Sequence, residues 1–577
     1  MKTKLTALLL TGLTGAALAQ APAPDAISLM NMGRFGEAKQ MLTRTAQQTP
    51  TMQSTFAAGY AYLRAGQPDS ARIWFQKGLA MDEKREPLNE TGVAITYLVQ
   101  NNMVQGGPMI EEVMKKSKGK RASILYRLGE AYTGYLQPGD GSIKPVYPKA
   151  VDAAKALDYL NRAAERDKKS ADIQLALGDA HYLNKDAGTA VSRYESAIES
   201  GMNPSRVYQR IGDIYWQGRN LTLAVENYKK AIEANAQYAP AYGQLAELYF
   251  LVNRYKDAAN YQDQYVNVSG DRRQDMLLRQ AQFHFLAKDY QRAVELIDSN
   301  ATTLGSNPIL YRIKGWSYSS LEQPQKAIEN IQTFLQKAPE KKMSDDYKYL
   351  GRAYMGMEAT GDTDSLKAIA KSANDSVGIG YLAIAAPDDT TDNLYSDIAK
   401  YYYRTKQHEK ALAALDSADA HGYKADVQDL FRYGLSNYVL GFERDTANRL
   451  IRNTMRFAKA DSALALAQEK APDYVPTVLY RAKAKYYAYA PEEAVRNGQA
   501  KDMYEKFITM VSDKPEEVTR YKKDLATAFK YMIAYNELVT KDKVAREEWL
   551  KKGLALLPNN KDLAKISSGD DGSTDAQ

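Results

Sequence analysis

Small residues recur along this chain at one fixed interval. Gly178, Gly212 and Ala246 stand 34 residues apart, and Ala190, Ala224 and Ala258 keep the same step. Ala197 and Ala231 repeat it again, and Gly315, Ala327 and Pro339 carry the same pattern further along. A period of this length marks stacked helix–turn–helix units, none of which can bury its apolar face alone. The stretch "YQRIGDIYWQGRNLTLAVENYKKAIEANAQYAPAY", residues 208–242, shows why small residues are needed. Where two helices cross, a residue with little or no side chain lets the backbones approach, and Ile211, Tyr215 and Tyr228 fill the remaining space. Large-against-small packing of this kind loses about 1–3 kcal/mol to a bulky intruder. The expectation is an all-α solenoid.

A solenoid also accommodates the length. Single hydrophobic cores stop growing near about 250–300 residues, whereas each unit of a stack packs only on its neighbours, and this chain has 577 residues. Its 44% hydrophobic and 25% charged residues are ordinary for a folded protein. A mean hydropathy of −0.52 leaves no room for many membrane spans. The opening "MKTKLTALLLTGLTGAALAQ" has a lysine-bearing start, an apolar run from Leu5 to Leu18, and Ala17-Leu18-Ala19 before Gln20. That is the layout of a cleaved secretory signal peptide over residues 1–19. Losing Lys2 and Lys4 with it lowers the formal charge from +7 to +5, too mild to argue for a nucleic-acid partner. No cysteine occurs anywhere, so the exported chain has neither disulfides nor a site for a lipid anchor. It is expected in the periplasm, or secreted, and not as a lipoprotein, with no transmembrane segment once the leader is removed.

The repeat can be followed outward from its clear centre. After the leader, "GRFGEAKQMLTRTAQQTP" sets Gly33 in a turn, Phe35 at a corner, Ala38 at a crossing and Pro50 at the end. The next unit has Gly59, Ala71 and Phe75. Gly129 opens a unit whose second helix arrives only at Ala156, beyond an insertion rich in Pro and Gly. Units then run regularly from about 171 to 340. The stretch 375–393, "DSVGIGYLAIAAPDDTTDN", reads as an irregular break between an N-terminal block, 20–374, and a C-terminal block, 394–565. Segments near 441–456, 488–499 and 533–544 lengthen the C-terminal units, and the polar end, 566–577, reads as a disordered tail. On these positions the chain resembles a tetratricopeptide-repeat protein of the exported bacterial type, over nearly all its mature length. The resemblance implies about thirteen units wound into a right-handed superhelix whose first helices line a concave surface. It also implies work in binding proteins or peptides, and no catalysis follows from the fold.

Catalytic and metal signatures are missing from the sequence. The four histidines, His181, His284, His408 and His421, include no pair spaced for a helical metal site, and His181 and His284 fall at positions that pack. The acids of "PDDTTDNLYSD" lack the EF-hand spacing and read as a solvated turn. No cofactor and no metal is called for. Forty-two tyrosines against twelve phenylalanines suit packing positions where a hydroxyl can reach a polar edge.

One constellation remains. The residue after each small crossing position reads Glu130, Asp179, Asp213 and Glu247 in successive units, and three residues further stand Tyr182, Trp216 and Phe250, with Phe285 in the next. The i, i+3 spacing sets acid beside aromatic on one helix face. Further along, the acidic position becomes Gln282, Trp316, Arg352 and Lys400. By the resemblance this face lines the groove, and its acids suit a partner with a basic, extended segment. The reading is a non-catalytic protein-interaction scaffold of the cell envelope. Its rivals are a structural or assembly subunit of an envelope machine, and an enzyme with its site in an insertion.

Overall fold

The computed structural model describes residues 34–81, 87–134 and 145–568, with Ala26, Leu29 and Met32 singly before them. The expected leader, Gly33 and the side chain of Phe35 lie outside the described residues. Two compact units divide the chain, Met1–Ser317 and Tyr318–Gln577.

The first unit is a succession of helix pairs. Helices Met52–Arg64 and Pro68–Ala80 form one, Ala171–Leu183 and Ala187–Glu199 another, and Pro204–Gln217 and Leu221–Ala234 the next. Each pair closes on its glycine. A Cβ on Gly178 would lie 2.3 Å from the Tyr194 ring, one on Gly212 would lie 2.6 Å from that of Tyr228, and one on Gly59 would meet Phe75 at 2.6 Å. Ala190, Ala197, Ala224, Ala231, Ala246 and Ala258 are all fully buried, and Gly315 is buried as well.

The turns between paired helices explain how the chain reverses in so few residues. Lys185, Arg219 and Asn253, again 34 apart in sequence, take left-handed φ values of 64°, 58° and 60°. This lets the next amide donate back across the helix end, Asp186 N to His181 O at 2.9 Å and Asn220 N to Tyr215 O at 2.8 Å. The same Asp186 and Asn220 then cap the second helix, accepting from the amides of Thr189 and Leu223. One short turn ends a helix and starts its partner.

Inserted units keep the same crossing with different residues. A Cβ on Gly129 would lie 2.6 Å from Leu160 of helix Ala153–Arg166, and one on Gly434 would lie 2.6 Å from Leu464 of helix Thr454–Lys470. The delayed helix fills the place of the aromatic, whatever the loop before it does.

The second unit corrects the expected break at 375–393. Residues 375–385 continue the helix Asp364–Ala385, the partner of Ser344–Gly356. Gly351 and Gly378 face each other, so that a Cβ on either would fall within 2.7 Å of the other's carbonyl oxygen. Gly378 of "VGIGYLAIA" thus allows a helix crossing rather than marking a loop, while Gly380 lies on the helix with open space around it. Ile379, Leu382 and Ala385 pack in one apolar cluster with Leu394 and Ile398 of the next helix, Leu394–Arg404, so the stretch joins its neighbours. The division between compact units falls at Ser317 and Tyr318 instead. Ala327 is fully buried in helix Pro324–Lys337, and Pro339 stands exposed just past its end.

Other insertions have structure of their own. Strands Phe442–Arg444 and Leu450–Arg452 pair antiparallel, helix Pro491–Arg496 occupies the second insertion, and a π-helical turn, Asn536–Thr540, the third. Residues 566–568, expected in the tail, belong to helix Lys561–Ser568. Residues 569–577 lie outside the described part.

Candidate functional site

The acids singled out in the sequence do not form an open row. Asp179 is 6% and Asp213 5% exposed, and Glu130 is buried as well. Each follows the crossing glycine, and the residue covering that glycine reaches the acid in two cases. Tyr194 packs over Gly178 and its hydroxyl donates to Asp179 Oδ1 at 2.8 Å. Tyr228 does the same over Gly212, donating to Asp213 Oδ1 at 2.8 Å. A phenylalanine there would leave a buried carboxylate without its donor, which explains part of the preference for tyrosine.

Arginines three residues before the acidic position complete the arrangement. Arg210 sits between two carboxylates, with Nε 3.2 Å from Asp179 of the preceding pair and Nη1 3.8 Å from Asp213 on its own helix. Glu130 is held by Arg64 at 3.0 Å, by Arg127 at 3.3 Å and by the Tyr60 hydroxyl. Arg279 of helix Gln274–Leu286 pairs with Glu247 of helix Ala239–Leu251. These arginines were not among the sequence candidates, although their i, i+3 spacing from Glu130 and Asp213 was there to be read.

Electrostatics distinguish the sites. Burial pushes the Glu130 carboxyl up, but Arg64, Arg127 and the Tyr60 hydroxyl outweigh it and hold the group below the ordinary carboxylate range. Burial wins at Asp179, over Arg210 and Tyr194, and at Glu247, over Arg279, so both are raised. At Asp213 burial pushes the carboxyl up to about 7, against Arg210 and Tyr228 and aided by the negative charge of Asp179. Asp213 Oδ2 accepts no hydrogen bond. A charge reversal at Asp179 or Asp213 would therefore test the fold, not a surface.

The aromatic candidates stay accessible in part. Tyr182, Trp216, Phe250 and Phe285 are half-buried, and each lies three residues before a left-handed turn residue, at Lys185, Arg219, Asn253 and Lys288. They therefore occupy the last turn of each first helix. Their buried edges tie pairs together. Trp216 meets Tyr228 edge-on at 6.2 Å, Phe250 stacks on Phe283 at 5.1 Å, Phe285 meets Trp316 at 5.6 Å, and the Tyr182 hydroxyl donates to Gln217.

Two features that sequence alone assigned to surface or core take clearer form. Of the acids of "PDDTTDNLYSD", Asp388 and Asp397 are exposed, as a solvated turn would have them, but Asp389 is not. Asp389 is buried and lies 2.7 Å from Lys348 Nζ, which also meets Asp345 at 2.8 Å. Burial raises the Asp389 carboxyl, but Lys348 and the amides of Asp392 and Thr391 overcome it and lower the group to about 2. Lysine supplies the cation there. Arg352 is paired with Asp392 at 3.0 Å, and Lys400 is exposed. His284 is buried, with one ring nitrogen 3.1 Å from Asp263 and the other 3.1 Å from Asp289. Both nitrogens are engaged, which suits a packing histidine. Among the described residues no helix is long and apolar enough to cross a membrane.

Residues 25–86 and 149–205 match one model of the tetratricopeptide repeat, and residues 205–238 match another. No curated protein matches the chain. Among solved structures, the C-terminal part of a tetratricopeptide repeat-containing protein from Cytophaga hutchinsonii is 24% identical, with 50% of this chain and 98% of that one covered and a TM-score of 0.33. YrrB, a tetratricopeptide-repeat protein with an unusual peptide-binding site, is 15% identical over 35% of this chain and 94% of its own, with a TM-score of 0.27. PilW, a type IV pilus biogenesis factor, is 18% identical over 44% and 94%, also at 0.27. Residues 25–86 and 149–238 thus carry tetratricopeptide repeats, with helix pairs closing on small residues at the same 34-residue step.

Proposed function

We propose that this chain is a non-catalytic protein-interaction scaffold that holds an extended protein or peptide segment along the first-helix ends of its first unit. The observation that carries this reading is the line of half-buried aromatics, Tyr182, Trp216, Phe250 and Phe285, at one equivalent position in consecutive repeats. Each presents a large face at low entropic cost, because its other edge is already packed. Such faces accept apolar side chains, and they accept Lys or Arg through cation–π contacts of about 0.5–2 kcal/mol each. Individually these are weak, and a segment crossing several repeats sums them. The buried acids and arginines beneath are the supports that keep the line in register.

The setting is the cell envelope, reached through the leader expected at 1–19, with assembly of an envelope machine as the alternative role. Intact mass of the exported protein should correspond to an N-terminus at Gln20, and retention of Met1 would overturn the setting. The binding reading is tested by cross-linking in native cells with wild type and with Trp216→Ala/Phe250→Ala. Loss of the wild-type cross-linked partner, with the helical circular dichroism unchanged, supports it. Full retention of that partner sinks it.

A further inference from the structure

A second surface, in the second unit, has the makings of a docking groove. Helices His408–Ala420 and Thr454–Lys470 form its walls, and helix Val427–Leu440 its floor. The cleft measures about 480 Å³, and its apolar lining includes Leu415, Leu430, Tyr433, Met455, Ala463 and Leu466. Met455 is 69% and Leu466 50% exposed, large fractions for apolar side chains three helical turns apart on one face.

Charge on the two walls differs. Asp416 and Asp419 line the His408–Ala420 side, both exposed, and neither forms a salt bridge among the described residues. Nearby acids are closed off. Asp429 is paired with Arg432 at 2.8 Å, Glu409 with Arg456 at 2.9 Å, and Asp461 with Arg481 at 2.7 Å. Lys459 lies on the opposite wall, on helix Thr454–Lys470. Asp416 takes a hydrogen bond from the Tyr433 side chain in the lining. The groove is therefore an apolar strip with an exposed acidic edge on one side and a lysine on the other.

We infer that this groove takes one amphipathic helix of a partner protein, with an apolar stripe facing the strip and Lys or Arg along the flank beside Asp416 and Asp419. The walls are helices whose backbone groups are bonded within themselves, so they offer no edge to which a strand could add. Recognition therefore runs through side chains, as it does when an amphipathic helix lays its apolar face into a groove. The chain's own end, "GDDGSTDAQ", is acidic and polar, and its charge opposes binding beside Asp416 and Asp419.

The test uses the full chain and a fluorescein-labelled helical peptide of about 18 residues with a leucine stripe and lysine flanks. A second peptide has glutamate in place of lysine. Fluorescence anisotropy should show the lysine peptide binding at least about tenfold tighter than the glutamate one. Asp416→Lys/Asp419→Lys should reverse that preference, and Met455→Glu/Leu466→Glu should abolish binding of the lysine peptide. All four replaced side chains are exposed, and circular dichroism checks that the helices persist. If the apolar variant fails to fold, the charge reversal alone decides. All titrations are run in the Trp216→Ala/Phe250→Ala background, which removes the first-unit aromatic faces, so the anisotropy reads this groove. Binding of neither peptide, equal binding of both, or an unchanged preference after charge reversal overturns the proposal. So does a concentration-dependent dimer, seen by sedimentation and lost in Leu466→Glu, because a second copy would then be the occupant.

Discussion

Asp213 is the residue whose replacement tests the buried ion network most directly. Its carboxylate shares Arg210 with Asp179, receives one hydrogen bond from Tyr228 at 2.8 Å, and keeps Oδ2 buried without a hydrogen bond. Burial raises it to about 7, about three pH units above an ordinary aspartate. Between those values the folded state holds a proton that the unfolded chain has released, so stability falls as pH rises from about 4 to about 7. Each pH unit is worth about 1.4 kcal/mol, and about two of the three units lie between pH 5 and pH 8.5, giving about 2–3 kcal/mol. Asp213→Asn keeps the acceptor for Tyr228 and removes the charge. Its stability relative to wild type should therefore improve by about 2–3 kcal/mol on going from pH 5 to pH 8.5, whatever its packing costs at either pH. Relief of Asp179 from its like-charged neighbour acts in the same direction.

Repeat stacks depart from two-state unfolding, so the assay should be local. The chain has no cysteine, and Ala231 is fully buried in the helix that carries Tyr228. Ala231→Cys supplies a single buried thiol whose labelling reports opening of that helix pair. With and without Asp213→Asn at the same pH, the ratio of labelling rates cancels the thiol's own chemistry. That ratio should shift by about 30–100-fold between pH 5 and pH 8.5, with the Asn variant the better protected at high pH. A ratio independent of pH, or one that shifts the other way, would refute the claim that the buried Asp213 charge strains this pair.

Three further outcomes are expected. Ala224→Trp, at a fully buried crossing, should destabilise its helix pair by about 1–3 kcal/mol or more, measured by the same labelling protection. Arg219→Gly should stabilise by about 0.5–1 kcal/mol in denaturant melts, since Arg219 holds a left-handed φ of 58° that glycine adopts without strain. At His284 burial lowers the proton affinity, but Asp263 and Asp289 outweigh it and raise the group above the ordinary histidine value. The protonated ring's contribution is then fully present below the unfolded-state value and lost as pH rises through the folded one. His284→Asn should cost more stability at pH 5.5 than at pH 9, and an equal cost at both would contradict the pairing.

Local and periodic features were open to reading from the residues alone. The 34-residue step, the small crossing residues and the delayed helices at Ala156 and after Gly434 are all matters of spacing, and spacing survives in one dimension. The last turns carrying Tyr182, Trp216 and Phe250 were visible in the same way, though not the left-handed turn that ends them. The segment 375–385 reads as a loop in sequence because its glycines carry that local signature. Only the opposing Gly351 backbone, brought close by the helix crossing, makes Gly378 necessary inside a helix.

Burial of the acids depended wholly on the stack. Asp179 finds Arg210 on the next helix pair, and Glu247 finds Arg279 in the same manner, so neither pairing exists until the repeats pack. Read as a sequence, acid beside aromatic on one helix face suggests an exposed row. In three dimensions the acid turns inward, because a carboxylate next to a crossing glycine lies where the tyrosine or arginine of another helix must pass. Sequence spacing determined which residues share a helix face. The packing of one helix pair on another decided which of them meet water, because exposure is set by what the next pair covers.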